Sequence, residues 1–167
     1  VIPNGVTAYV LYDEVTNPGG ERVLKLRELQ GGKIPAGLPV VLHAEEGVYY
    51  FQINYAPNLV SDVAKRDTYS KDGDIENLLD GRHATTYIPE KNGYIHYILA
   101  NGSKGVGMYK VKMDDASVGG VNYFQNNAHR AWLPNPKSIT TGAAGYRFSV
   151  AGRDESTSID GIVDDAT

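Results

Sequence analysis

Tyr94-Ile95-His96-Tyr97-Ile98-Leu99-Ala100-Asn101-Gly102, then Ser103-Lys104, then Gly105-Val106-Gly107-Met108-Tyr109-Lys110-Val111-Lys112, is the stretch whose reading decides the fold. Two arms rich in β-branched and aromatic residues flank a short polar turn containing Asn-Gly, which is a strong hairpin signal. In the second arm Val106, Met108 and Lys110 fall on one side, and Gly107, Tyr109 and Val111 on the other. Its two glycines predict a bulge or the close approach of another backbone. The stretch reads as the central hairpin of an all-β domain, a scaffold rather than an active site.

Working outward, similar short runs recur between turn signals. Thr7–Tyr12 is a strand candidate, Asn17-Pro18-Gly19-Gly20 a turn, and Arg22–Leu29 a second strand. In that second strand Leu24 and Leu26 face one way while Lys25 and Arg27 face water. Ile34–Pro39 is extended and proline-fixed, leading into Val40–His43. Glu45-Glu46-Gly47 predicts a tight turn, with Val48–Ile53 returning as the next strand. From Ala56 to Gly81 the pattern weakens: Ser61–Asp67 reads as one helical turn or a loop, and Ile75–Gly81 as a short helical turn stopped by glycine. Strand character resumes at Ala84–Ile88, and Val121–Phe124 follows the hairpin. Asn127–Pro134 reads as an edge-type strand ended by proline, and Gly145–Val150 alternates cleanly. These runs predict an all-β fold, an antiparallel, jelly-roll-like β-sandwich of about ten short strands. Residues 1–152 are expected to form the module, with 153–167 an acidic tail or linker.

Composition agrees. The 167 residues suit one domain, and 19 glycines with 8 prolines supply the turns that many short strands require. Twelve tyrosines against 3 phenylalanines and 1 tryptophan suit half-buried strand positions, where the ring packs and the hydroxyl stays wet. A net charge of −4 without any Lys/Arg cluster argues against nucleic acid and anionic membranes as partners. The absence of cysteine removes disulfides and thiolate chemistry together. No run of about 18 apolar residues is present, so no membrane insertion is expected. A chain starting at Val1 predicts a processed product or, preferably, a fragment of something longer.

Candidate chemistry is sparse. Gly105-Val106-Gly107 has Lys110 where a dinucleotide fingerprint needs glycine, and Gly31-Gly32-Lys33 lacks the rest of a phosphate loop. His43, His83, His96 and His129 are scattered singly, without metal-ligand spacing. Ser103 sits in a hairpin turn rather than a nucleophile elbow. No catalytic residue, no cofactor and no metal ligand is assigned, and the chain is not expected to be an enzyme. Asp72-Gly73-Asp74-Ile75-Glu76 with Asp80 departs from the EF-hand pattern, so it reads as a solvated acidic loop, with structural calcium as the alternative. Tyr9, Tyr12, Tyr49, Tyr50, Tyr94 and Trp132 offer stacking faces for a sugar if some lie together on an exposed sheet. Trp132, Tyr49 and Tyr94 are the candidate ligand-binding residues. The bland alternative is that these rings belong to the core or its rim.

Taken in order, these segments resemble a known pattern. Ile34-Pro35-Ala36-Gly37-Leu38-Pro39-Val40-Val41-Leu42 resembles the "IPAGTPVLL" strand entry of C-terminal modules in Bacteroidetes surface and secreted proteins. Asn77–Gly81 is similar to their "NLLQG" turn, and Tyr97–Gly102 with Gly105–Lys110 to their "YVLANG…GVGFYK" hairpin. Asn127–Leu133 resembles "ANKAYL", and Ala144–Phe148 with Thr157–Ile162 the closing "YRF…TGIEGI". The departures are Leu38 for Thr, Trp132 for Tyr, and a longer insertion from Val60 to Asp74. The resemblance implies a small β-sandwich appended to adhesin-like leucine-rich-repeat proteins, glycan-degrading enzymes and other exported proteins. It transfers no catalytic residue, and its closing segment normally precedes a sorting or anchoring element. The expected function is a non-catalytic accessory or adhesion module, secreted or on the outer cell surface, acting as spacer, stabiliser or interaction surface. Its expected partners are other domains of a larger parent, a polysaccharide or a host protein. The alternative is a carbohydrate-binding module using exposed Tyr and Trp faces.

Overall fold

The computed structural model describes residues 1–16, 19–35, 37–52, 63–64, 68–70, 74–82, 84–90, 93–103, 105–118, 120–136 and 145–150. Its hairpin falls in the expected stretch, but Asn101 and Gly102 are paired at the end of the first arm and the chain reverses after them. Strand β9 is Tyr94–Gly102 and β10 is Gly105–Lys110, paired antiparallel from Gly105↔Gly102 to Lys110↔Tyr97. At the other end of the chain, β1 (Val6–Thr16) and β2 (Arg22–Glu28) form a longer hairpin, with a register shift between Leu11 and Asp13. The remaining strands are β3 (Val41–Ala44), β4 (Val63–Ala64), β5 (Thr68–Ser70), β6 (Asp74–Glu76), β7 (Asp80–Arg82), β8 (Thr86–Pro89), β11 (Asp114–Val118), β12 (Val121–Asn126), β13 (Arg130–Pro136) and β14 (Gly145–Val150).

Nine strands make one sheet in the order β3-β1-β2-β14-β10-β9-β13-β7-β4, so β10 is its central strand. A second sheet is β11-β12-β8, and β5 pairs with β6. The domain is therefore all-β and sandwich-like, with no helix among the described residues. Two details differ from expectation. Among the described residues the expected ten or so strands are joined by very short ones, β4 to β7 having only two or three residues each. One junction is parallel: β14 runs alongside β2, from Arg147↔Val23 to Val150↔Leu26, while pairing antiparallel with β10 at Met108↔Tyr146.

Alternation puts large apolar side chains of adjacent strands on one face of the sheet, where they form the largest cluster. Tyr9, Leu11, Leu24, Leu26, Tyr97, Met108, Leu133, Tyr146 and Phe148 share that cluster. The opposite face of β9 and β13 carries Ile98 and Trp132, against which Ile88 of β8 and Phe124 of β12 pack. The outer face of β1 (Ala8, Val10) is covered by Ile2, Ile34, Leu38 and Val40, with the Ile2 amide donating to the Gly32 carbonyl at 2.8 Å. Gly107 supplies the close backbone approach its sequence position predicts, because a Cβ there would collide with the Tyr146 carbonyl oxygen.

Four local expectations are corrected. Ile75–Gly81 is not a helical turn: it begins within β6 and ends in β7, and between them the chain is held extended by tertiary bonds. Leu78 N–H donates to the Leu11 carbonyl and Asn77 Nδ2 to the Pro39 carbonyl, each at 2.7 Å. Val63–Ala64 is strand rather than a helical turn or loop, pairing with β7. Residues 48–52 form no strand despite their β-propensity, and Tyr50 is 85% exposed. The Val1 nitrogen donates to the Gln52 carbonyl at 2.7 Å beside it. Finally, β13 is an interior strand between β9 and β7. Prolines are tolerated in it because β7 covers only Arg130–Trp132, so Pro134 and Pro136 lie past the end of that partner. The tail at 153–167 lies outside the described residues.

Candidate functional site

A cleft of about 650 Å³ opens between β3, the β9–β10 hairpin and the β12–β13 corner. Its floor is apolar, built from Leu79, Ile98, Met108, Val111 and Phe124. Its rim is polar: Gln125, Asn126 and Asn127 from the end of β12, His129 and Arg130 from the start of β13, and Lys112 beyond β10. A smaller depression of about 230 Å³ adjoins it, sharing His129 and Arg130 and reaching Arg82. A volume in this range, apolar below with a few convergent polar groups above, is what small-molecule sites present.

The β12–β13 corner is held by hydrogen bonds on every side. Asn126 is buried and its Nδ2 donates to the Arg130 carbonyl at 3.0 Å and the Asn127 carbonyl at 3.3 Å. Arg130 N–H donates to the Asn127 carbonyl at 3.3 Å, and His129 N–H to the Arg82 carbonyl at 2.9 Å. The Ala128 amide donates to Thr85 Oγ1 at 3.2 Å. Within this frame His129 takes φ 59°, the left-handed region that disfavours residues with a Cβ. Beneath the floor, Tyr146 lies opposite Met108, and its hydroxyl is pushed far above the usual tyrosine range. Burial is the main cause, with Tyr97 and Glu14 adding to it.

The aromatic residues expected to bind ligand are not gathered into a platform. Trp132 is 3% exposed, so the expectation of an exposed indole face is corrected. The ring is enclosed by Phe124, edge-on at 6.3 Å, and by the Arg82 guanidinium 5.3 Å from its centroid. Its burial follows from the inward alternation of β13 against the second sheet. Tyr49 is half-buried on the N-terminal side, its ring in contact range of Gly5 and Gly47 and its hydroxyl donating to the Glu45 carbonyl at 3.0 Å. Tyr94 is half-buried at the start of β9, four residues along from Ile98, the partner of Trp132. Tyr9 is core, and Tyr12 lies under the Arg27 guanidinium at 4.8 Å. Of the acidic loop, Asp72 and Gly73 lie outside the described residues, and Asp80 is a half-buried residue of β7. Among the described residues no group of three or more His, Asp or Glu is placed to hold a metal ion.

The rim residues carried no metal or catalytic spacing, which is why the sequence singled none of them out as ligand-binding. The available signal was the polar run Asn126-Asn127-Ala128-His129 between two strands, since Asn and His tolerate the left-handed turn better than most residues. No protein-family profile, curated protein or solved structure matches this chain.

Proposed function

We propose that this chain is a non-catalytic accessory module of an exported bacterial cell-surface protein, and that it binds saccharide in the cleft at the β12–β13 corner. The observation that supports this is the exposed amide pair Gln125 and Asn127, with Gln125 Nε2 donating to Asn127 Oδ1 at 3.1 Å, set over an apolar floor of Ile98, Met108 and Phe124. Primary amides offer donors and acceptors on one plane, suited to neighbouring sugar hydroxyls. The apolar floor suits the C–H faces of a pyranose ring. Placement outside the cell and in the Bacteroidetes rests on the motif resemblance from Ile34 to Phe148.

A glycan array probed with the purified domain tests the reading. Saturable binding to a saccharide, weakened by Gln125→Ala and Asn127→Ala, is the expected result. No binding by a folded protein overturns it. That result favours a second reading, a spacer or adhesion surface facing a neighbouring domain or host protein, for which the exposed Val48, Tyr50 and Phe51 supply an apolar patch.

A further inference from the structure

The charges around the cleft do not follow the charges of the chain. The protein carries 20 acidic and 16 basic residues, yet the described residues lining the cleft and its adjoining depression include Lys112, His129, Arg130 and Arg82 and no Asp or Glu. Lys112, His129 and Arg130 are exposed at the mouth. A cationic rim on an acidic protein is an electrostatic choice local to this cleft, one that raises the local concentration of anions.

A second, independent observation is the backbone at His129. Its φ of 59° is held by surrounding hydrogen bonds, from Asn126 Nδ2 to the carbonyl of Arg130 and from His129 N–H to the carbonyl of Arg82. Glycine would take that conformation without strain, yet the chain places an imidazole there, at the lip of both depressions. Strain of this kind, fixed by its surroundings, gathers at ligand sites.

We propose that the cleft takes an anionic saccharide, with Arg130 and Lys112 meeting the carboxylate or sulfate and His129 adding a ring donor beside them. The inference rests on the saccharide reading above and specifies the charge of its ligand. Arginine presents a planar fork that fits either anion, and lysine a point charge. The apolar floor would carry the ring face, leaving the acidic substituent at the rim.

Titration calorimetry of the folded domain with trigalacturonate, its methyl ester and a sulfated galactose disaccharide that carries no carboxylate tests this. The acid is expected to bind at least about tenfold more tightly than the ester, the loss of one charge-assisted contact. Arg130→Gln and Lys112→Gln are each expected to weaken the acid by about tenfold while leaving the ester unchanged. His129→Gly is expected to keep or raise the urea midpoint and still weaken the acid, a combination that a purely structural histidine would not give. The carboxylate and sulfate arms identify which anion is preferred, and binding of either supports the proposal. Equal binding of acid and ester overturns the anionic inference and leaves the saccharide reading standing. Failure of all three probes while neutral glycans bind on the array overturns the anionic inference alone. Failure of these probes and of the array overturns both.

Discussion

The rings of Tyr97 and Tyr146 meet edge to face in the core, with centroids 4.9 Å apart and planes at 70°. The contact reaches across β10, since Tyr97 belongs to β9 and Tyr146 to β14, the strands on its two sides. Burial, with Tyr97 and then Glu14 adding to it, holds the Tyr146 hydroxyl in its neutral form well beyond the usual tyrosine range. In the unfolded chain the same hydroxyl ionises near pH 10. Its folded value is raised, so its contribution to stability is complete below about pH 10 and is lost as pH rises beyond that. The expected outcome is a urea midpoint that falls steeply above about pH 10, and falls less steeply in Tyr146→Phe, by about 1.4 kcal/mol per pH unit. Parallel pH profiles for the two proteins would show that Tyr146 ionises as easily in the folded state as in the unfolded chain.

Gly107 of β10 faces the Tyr146 carbonyl of β14. A Cβ at residue 107 has nowhere to go, because what it meets is backbone and not the end of a flexible side chain. Gly107→Ala is expected to cost roughly 1–3 kcal/mol through overpacking, at the upper end because the strand pair must separate. Gly31→Ala is the contrast, with φ +86° and open space around its Cβ. There the penalty is backbone strain alone, about 1 kcal/mol. Chemical denaturation of both variants measures the difference. A Gly107→Ala loss no larger than that of Gly31→Ala would mean that β10 and β14 part at little cost.

Asn77 is fully buried and serves two neighbours, donating to the Pro39 carbonyl and accepting from Leu79 N–H at 3.3 Å. Asn77→Leu nearly keeps the volume and removes both bonds, leaving a buried carbonyl and amide without their partner. The expected cost is about 1–3 kcal/mol. Hydrogen exchange supplies a local readout, since the Leu78 amide donating to Leu11 should lose protection first. Unchanged protection at Leu78 would place the anchoring of this segment elsewhere.

The sequence spoke clearly where local chemistry and tertiary pairing agree. The two β-rich arms either side of residues 103–104 form the hairpin, Leu24 and Leu26 alternate inward, and Gly145–Val150 is a strand as its pattern says. It misled where long-range bonds override local preference. Residues 77–79 have the look of a helical turn but are held by Leu11 and Pro39, and Val48–Tyr50 have β-propensity but are not paired in any sheet. The parallel seating of β14 beside β2 carries no local signature at all, because register between residues 124 apart in sequence is set by the core they share. The cleft was hidden for a related reason: its floor comes from the hairpin and β12, and its rim from a turn whose left-handed histidine is visible only in three dimensions.

Trp132 is the sharpest test of the site's location, because it is the chain's single tryptophan and it is buried. Beneath the Arg82 guanidinium and against Phe124 it stabilises the contact between the two sheets. Its emission should therefore be blue-shifted, resist quenching by acrylamide, and move to longer wavelength at the same urea concentration at which the β-sheet signal is lost. Trp132→Ala is expected to cost about 3–5 kcal/mol, the range for removing a large aromatic ring from a core. Such a variant loses saccharide binding by losing the fold. Arg82→Met should cost no more than about 1–2 kcal/mol of cation–π stabilisation and leave the domain folded. A solvent-exposed emission spectrum, or a Trp132→Ala protein with an unchanged urea midpoint and abolished binding, would return the indole to the surface and make it the sugar platform after all.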